Sequence, residues 1–356
     1  MNELFKDLKI IELASVLAGP SVGLFFSELG ANVVKIENSK TNGDVTRTWK
    51  LNTEDSKNPY SAYYWSVNIG KKVLLLDLTL EKDLNHLYEL IKEADIVLAN
   101  YNKGDDLKLK VDYNTLTTLK NDIIYATING FGDESSRIAY DLILQAESGF
   151  MYMNGEPNTK PTKMPVALID LLAGHQLKEA ILIALIKKLK TGKGSKISVS
   201  LFDSAVASLA NQGTNWLIAN QLPKPTGSLH PNIAPYGEIF ETKDGHLITF
   251  AIGNNKQFLN LCKVIEYSGL AKENKFSNNQ NRVKNRHELY NLLYNYIKPF
   301  LYKDIYKLCI ENEVPIGKIR NLKEVFELEN AKKLLIYSKN NTQNITTIKG
   351  NVFKII

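Results

Sequence analysis

The segment from Leu8 to Glu37 leaves this chain few architectures. Leu8 to Leu13 is a short, mostly apolar run with strand character. Ala18-Gly19-Pro20 then turns the chain into a helix over Ser21 to Leu29, and Gly30 stands where a helix C-cap is expected. Asn32 to Glu37 is a second apolar run. A strand, a turn, one helix of ordinary length and another strand imply a parallel sheet with helices on its faces.

The alternation continues. Lys71-Lys72-Val-Leu-Leu-Leu-Asp77 predicts a buried strand that opens with two basic residues, Leu80 to Glu93 an amphipathic helix, and Ala94 to Ala99 another strand. Asp122 to Ile128 predicts a further strand ending in Asn129-Gly130-Phe131-Gly132. The loops at 68–72, 100–104 and 129–132 are candidates for one ligand edge; the last two follow strands, and open α/β sheets bind ligands at the carboxyl edge. The first unit resembles half a Rossmann fold, with Glu37 where a ribose-binding acid would sit. However, the turn Ala14-Ser-Val-Leu-Ala-Gly19-Pro-Ser carries one glycine and a proline in place of G-x-G-x-x-G. That disfavours a dinucleotide dehydrogenase.

A long helix is expected from Asp170 to about Lys190 with a glycine stop at 192, then a strand at 196–200 and a second long helix from Leu201 to about Ile218. Gln221 to Pro235 changes character: four prolines and Gly227 read as a linker. Beyond it, 236–242 and 246–252 flank Asp244-Gly245 as a β-hairpin, followed by helices at 256–264, 285–297 and 302–312. The expected plan is a large Rossmann-like domain (1–220), a linker (221–235), a small α+β domain (236–315) and a return segment (316–356).

Net charge is +6, with Lys and Arg dispersed among acidic residues, which excludes a nucleic-acid track but suits anionic small molecules. The two cysteines, Cys262 and Cys309, form no metal or disulfide spacing and fall in apolar helical patterns. The first residues lack a signal peptide's apolar core, and no apolar run reaches membrane-span length. A soluble cytoplasmic protein is expected, without a metal or a permanently bound cofactor.

Chemistry is expected between Arg137 and Gly174. The apolar run Val166 to Ile169 delivers Asp170 to the start of the long helix. A carboxylate there is either a helix cap, accepting from free N–H groups of the first turn, or a reactive group.

Several stretches, in this order, resemble the class III CoA-transferases (the CaiB/BaiF family): Val16-Leu-Ala-Gly-Pro20, Leu29 to Glu37, Gly43-Asp44 with Arg47, Asn68 to Lys72 and Tyr140-Asp141. Gln145-Ala146, Ser148-Gly149, Asp170-Leu-Leu-Ala-Gly174, Thr191 to Gly194, His230 to Tyr236, Asn281 to Arg286 and Val314 to Gly317 complete the set. The resemblance implies that Asp170 is a nucleophile, which attacks an acyl-CoA to give a mixed anhydride and then an aspartyl-CoA thioester. It implies that Val16 and Ala18 line the CoA path, Lys71, Lys72 and Arg137 meet phosphates, Asn100 and Tyr101 flank the base, and Tyr140 borders the acyl pocket. Acyl-CoA and a small carboxylic acid would be the substrates, and the chain would form a ring interlocked with a second copy in a homodimer.

Leu17 stands where formyl-CoA transferase carries a glutamine, so oxalate and formate are not the expected acids. Family members also tend to continue past the point matching Ile356, so part of the usual dimer surface is expected to be missing. The main rival is an α-methylacyl-CoA racemase, which moves an α-proton with a His–Asp pair. Tyr140 occupies that histidine's place, and none of the five histidines replaces it. A catalytically idle CoA-binding protein of the same fold is the other reading, and retention of Asp170 with Gly174 argues against it.

Overall fold

The computed structural model describes residues 4–339 and 344–354. The chain divides into two compact units: Met1–Met151, Lys163–Pro223 and Lys332–Ile356 form the first, and Tyr152–Thr162 with Lys224–Ala331 the second.

The first unit is built on a parallel sheet of six strands: β1 (Lys9–Glu12), β2 (Asn32–Asn38), β3 (Lys72–Leu76), β4 (Ile96–Ala99), β5 (Ile124–Asn129) and β6 (Ser195–Ser200). Their spatial order, β3-β2-β1-β4-β5-β6, reverses direction between β1 and β4, the doubly wound pattern whose ligand crevice opens at that switch point. β4, in the middle of the sheet, reads as an unbroken apolar run because both sheet faces are covered there; all four of its residues are buried. Helix α1 (Ala18–Glu28) and the helix Leu168–Thr191 pack on one face with Phe26, Ile169, Ala173 and Leu177. The helix Glu81–Glu93 packs on the other through Leu84, Leu87 and Ile91. Close approach of the first pair needs Gly174, since a Cβ there would lie 2.5 Å from Ser21 Oγ.

The expected glycine stop holds: Gly192 adopts φ 68° and its N–H returns to Lys188 O. The expected second long helix does not. It divides into Leu201–Ala207 and Ala210–Ala219, with Ala210 at φ 48°. Ser204 and Ser208 each donate a hydroxyl to the carbonyl four residues back at 2.7 Å, a competition with the backbone ladder that bends helices.

The second unit carries an antiparallel sheet of β7 (Tyr236–Glu241), β8 (Leu247–Ala251) and β9 (Ile316–Lys318). The hairpin turns at Asp244-Gly245 as expected. Its core joins Phe240, Phe250 and Phe258 to helices Arg286–Ile297 and Tyr302–Glu311, and Cys262 and Cys309 are buried within it. Strand β9 lies in the segment expected to be already returning; pairing with β8 keeps it in the small sheet, and the chain re-enters the first unit at residue 332.

Candidate active site

The turn after β1, the loop after β4 and the loop after β5 converge where a doubly wound sheet opens its crevice. There they form a pocket whose walls include Val16, Leu17, Ala18, Asn100, Tyr101, Arg137, Tyr140 and Asp170. Seven of the nine residues singled out from the sequence therefore meet at one place; Lys71 and Lys72 do not.

Asp170 is the third residue of the helix Leu168–Thr191, and only 7% of it is exposed. It does not cap that helix. Ala167 holds the cap position, and the N–H of Ile169 donates instead to Asp141 Oδ1 at 2.8 Å. Among the described residues the Asp170 carboxylate has neither a hydrogen-bond donor nor a cation. Burial first, and the neighbouring Asp141 charge second, push it up to about 7. The nearby Tyr63 hydroxyl is pushed up to about 12, by its own burial first and then by Asp170.

Asp141 is fixed in turn. Gln145, one helical turn on, donates to Asp141 Oδ2 at 2.6 Å and accepts the N–H of Met164 at 2.8 Å. The spacing of four residues is the sequence signal for that pair. Its job of accepting the N–H of Ile169, 28 residues away in the first turn of another helix, has no local signal.

Other expected contacts are placed differently. The Lys71 side chain is fully buried, with its ammonium 2.8 Å from Glu12 Oε2, 2.8 Å from Pro20 O and 3.2 Å from Asn68 Oδ1. It is therefore no phosphate contact: the sheet brings Glu12 beside it, and Gly23 leaves the room that the Glu12 carboxylate fills. Lys72 is exposed at the start of β3, the edge strand, outside the pocket wall. Asn100 does line the pocket, but both ends of its amide are occupied by Ser15, whose N–H it accepts at 3.0 Å and whose carbonyl it bonds at 2.9 Å. Glu37 is not a ribose acid, since it is buried and accepts from Arg47 Nε at 2.7 Å and from the Tyr64 hydroxyl at 2.8 Å. Arg137 reaches the pocket from its rim, its guanidinium 3.9 Å above the Phe131 ring and paired with Glu147. Tyr140 is 53% exposed just before the helix Asp141–Glu147.

A buried, unpaired carboxylate in the crevice of a doubly wound sheet suits covalent acyl chemistry. The comparisons with known proteins decide the family. Residues 5–354 match the family model described as CoA-transferase family III. The chain belongs to the class III CoA-transferases. It is 36% identical to a succinate–glutarate CoA-transferase of Agrobacterium fabrum, over 90% of this chain and 80% of that protein. The human succinyl-CoA:glutarate CoA-transferase is also 36% identical, over 90% of this chain and 73% of that one. A solved CaiB/BaiF family protein from Brucella suis superposes with a TM-score of 0.83 at 34% identity, covering 98% of this chain and 91% of that chain. As a class III CoA-transferase, this enzyme moves CoA from an acyl-CoA thioester to a free carboxylic acid. No described helix is long and apolar enough to cross a membrane.

Proposed function

We propose that Asp170 is the covalent nucleophile of CoA transfer. The observation that carries this is its isolation: a carboxylate with no donor and no cation among the described residues, in the wall of the crevice at the sheet's switch point. In its ionised form one oxygen attacks the thioester carbonyl, the C–S bond breaks, and CoA leaves as the thiolate with an acyl-aspartyl anhydride behind it. The thiolate then attacks the aspartyl carbonyl, releasing the donor acid and leaving Asp170 as an aspartyl-CoA thioester. The incoming carboxylate attacks that thioester and expels the thiolate again. Thiolate attack on the new acyl group yields product and frees Asp170. Each displacement is easier than direct exchange between two acids. The first turn of a helix favours the anionic form, while burial and Asp141 oppose it, so the nucleophile is half ionised near neutrality.

Val16, Leu17, Ala18 and Tyr101 would line the CoA path, and Arg137 is one of two pocket cations, with Lys103, available to a phosphate once each parts from its partner, Glu147 or Glu134. The acid we assign is a short dicarboxylate of the succinate or glutarate type, the class named for the relatives at 36% identity. Leu17 offers such an acid an apolar wall and no hydrogen bond. CoA serves as substrate, with no permanent cofactor. The working form we infer is an interlocked homodimer. In support, Ile183, Leu189, Leu217 and Ile218 are more than two-thirds exposed on the first unit (68, 87, 78 and 80%), an apolar load that a second copy would cover.

The test is chemical. Incubation with succinyl-CoA should leave an ester-level adduct on the peptide containing Asp170 that hydroxylamine traps and borohydride reduces. Transfer to glutarate should follow ping-pong kinetics, and Asp170→Asn should abolish both. An Asp170→Asn protein that still transfers CoA would refute the assignment.

A further inference from the structure

Three successive residues of the turn after β1 have their backbone groups held by side chains from distant parts of the chain. Ala14 O accepts from Lys35 Nζ at 2.6 Å, and Ser15 is bonded at both N–H and carbonyl by Asn100. Val16 N–H donates to the Asp44 carboxylate, 3.2 Å from Oδ2 and 3.4 Å from Oδ1. Val16 has φ 71°, in the left-handed region that a β-branched residue rarely occupies. Such a conformation persists only where its surroundings over-determine it. Asp44 is equipped for that task. It is 5% exposed, pairs with the buried Lys35 ammonium at 3.1 Å, and receives both the N–H and the hydroxyl of Thr46. Lys35 is in turn pinned by Glu12, its direct register partner across β1 and β2. Asp44 is not in the pocket wall, but the residue it holds and the two that follow share that wall with Asp170.

We propose that Asp44 is a positioning residue for CoA transfer: its carboxylate keeps Val16 left-handed and thereby fixes the Leu17–Ala18 wall that a CoA thioester meets beside Asp170. The proposal rests on the reading of this pocket as the active site. The plainer role, balancing the buried Lys35 charge, makes a different prediction. Glycine adopts the left-handed region as readily as any other, so a glycine at position 16 needs the anchor far less. Charge balance would be indifferent to residue 16.

Four proteins form the test: wild type, Asp44→Asn, Val16→Gly and the double variant. The readouts are kcat and KM for transfer from succinyl-CoA to glutarate, and the Kd of free CoA by calorimetry, which does not depend on the acid chosen. Asp44→Asn keeps size and the Thr46 contacts but removes the charge. It should lose about tenfold or more in kcat/KM and weaken CoA binding, the scale of a charge-assisted hydrogen bond. In the Val16→Gly background the same change should cost less than about threefold. Equal losses in both backgrounds overturn the proposal, as does an Asp44→Asn protein with wild-type kcat/KM and CoA affinity. Should Asp44→Asn fail to fold, Val16→Gly is compared with Val16→Ala: the glycine variant should melt higher and keep more activity, and the reverse order overturns the proposal. Asp170→Asn is run alongside. If it remains active the underlying site is wrong; if it is inactive while the Asp44 cycle is additive, only the positioning role falls.

Discussion

Replacing Asp170 by Asn should make the protein more stable in a way that depends on pH. Its carboxyl titrates near 7 in the folded chain against a reference value of 3.8, because burial and then Asp141 oppose its charge. At about 1.4 kcal/mol per pH unit, a gap of about three units comes to on the order of 4 kcal/mol. The sign follows from which state ionises first. Below about pH 4 the carboxyl is protonated folded and unfolded, and nothing is lost. As pH rises toward 7 the unfolded carboxyl ionises while the folded one resists, so stability falls; above 7 the loss is complete. Asn cannot ionise and is spared it. Thermal melts of wild type and Asp170→Asn should therefore nearly coincide at about pH 4 and separate steadily up to pH 7. With roughly 2 °C per kcal/mol for a cooperative unit of this size, the variant should melt about 8 °C higher at pH 8 while being inactive. Asp170→Ala should show the same opening gap. Were Asp170 a helix cap, Ala would instead lose about 1 kcal/mol at every pH and Asn would match wild type. A pH-independent difference, or a lower melting temperature for Asn at pH 8, refutes the reasoning.

Three further outcomes follow from the same geometry. Activity should fall on the acid side with a midpoint near pH 7 in kcat/KM, and Asp141→Asn, which removes the second cause of the shift, should move that midpoint lower; a pH–rate profile of the two proteins checks this. Lys71→Met should leave Glu12 without one of its two buried cations and destabilise the fold by about 3–5 kcal/mol in chemical denaturation, with KM for acyl-CoA within about twofold of wild type; a large rise in KM at intact stability would return Lys71 to the phosphate site. Arg137→Ala should raise that KM about tenfold, the scale of a charge-assisted contact, whereas Glu147→Gln should lower it by no more than about threefold by freeing the guanidinium. Steady-state kinetics at varied succinyl-CoA distinguish these, and an unchanged KM in Arg137→Ala removes the arginine from the site.

The order of strands and helices was legible in the sequence because its causes are local. Apolar runs at 8–13, 32–37 and 94–99 become β1, β2 and β4, Gly192 stops its helix, and Asp244-Gly245 turns its hairpin through contacts within a few residues. The break at Ser208 was missed because serine back-bonding competes weakly with a helical pattern that continues on both sides. Asp170 and its gathering with Val16, Ala18, Asn100, Tyr101, Arg137 and Tyr140 were also readable, since motif order along a doubly wound sheet fixes which loops reach the switch point. Partner choice was not. Lys71 finds Glu12 across 59 positions, Asn100 finds Ser15 across 85, and Asp141 rather than Asp170 accepts the N–H of Ile169. A side chain's charge is written in the sequence. Whether that charge faces a ligand, a buried counter-ion or nothing depends on strand register and helix packing, and the same two terms set the ionisation of Asp170 through burial and the distance to Asp141.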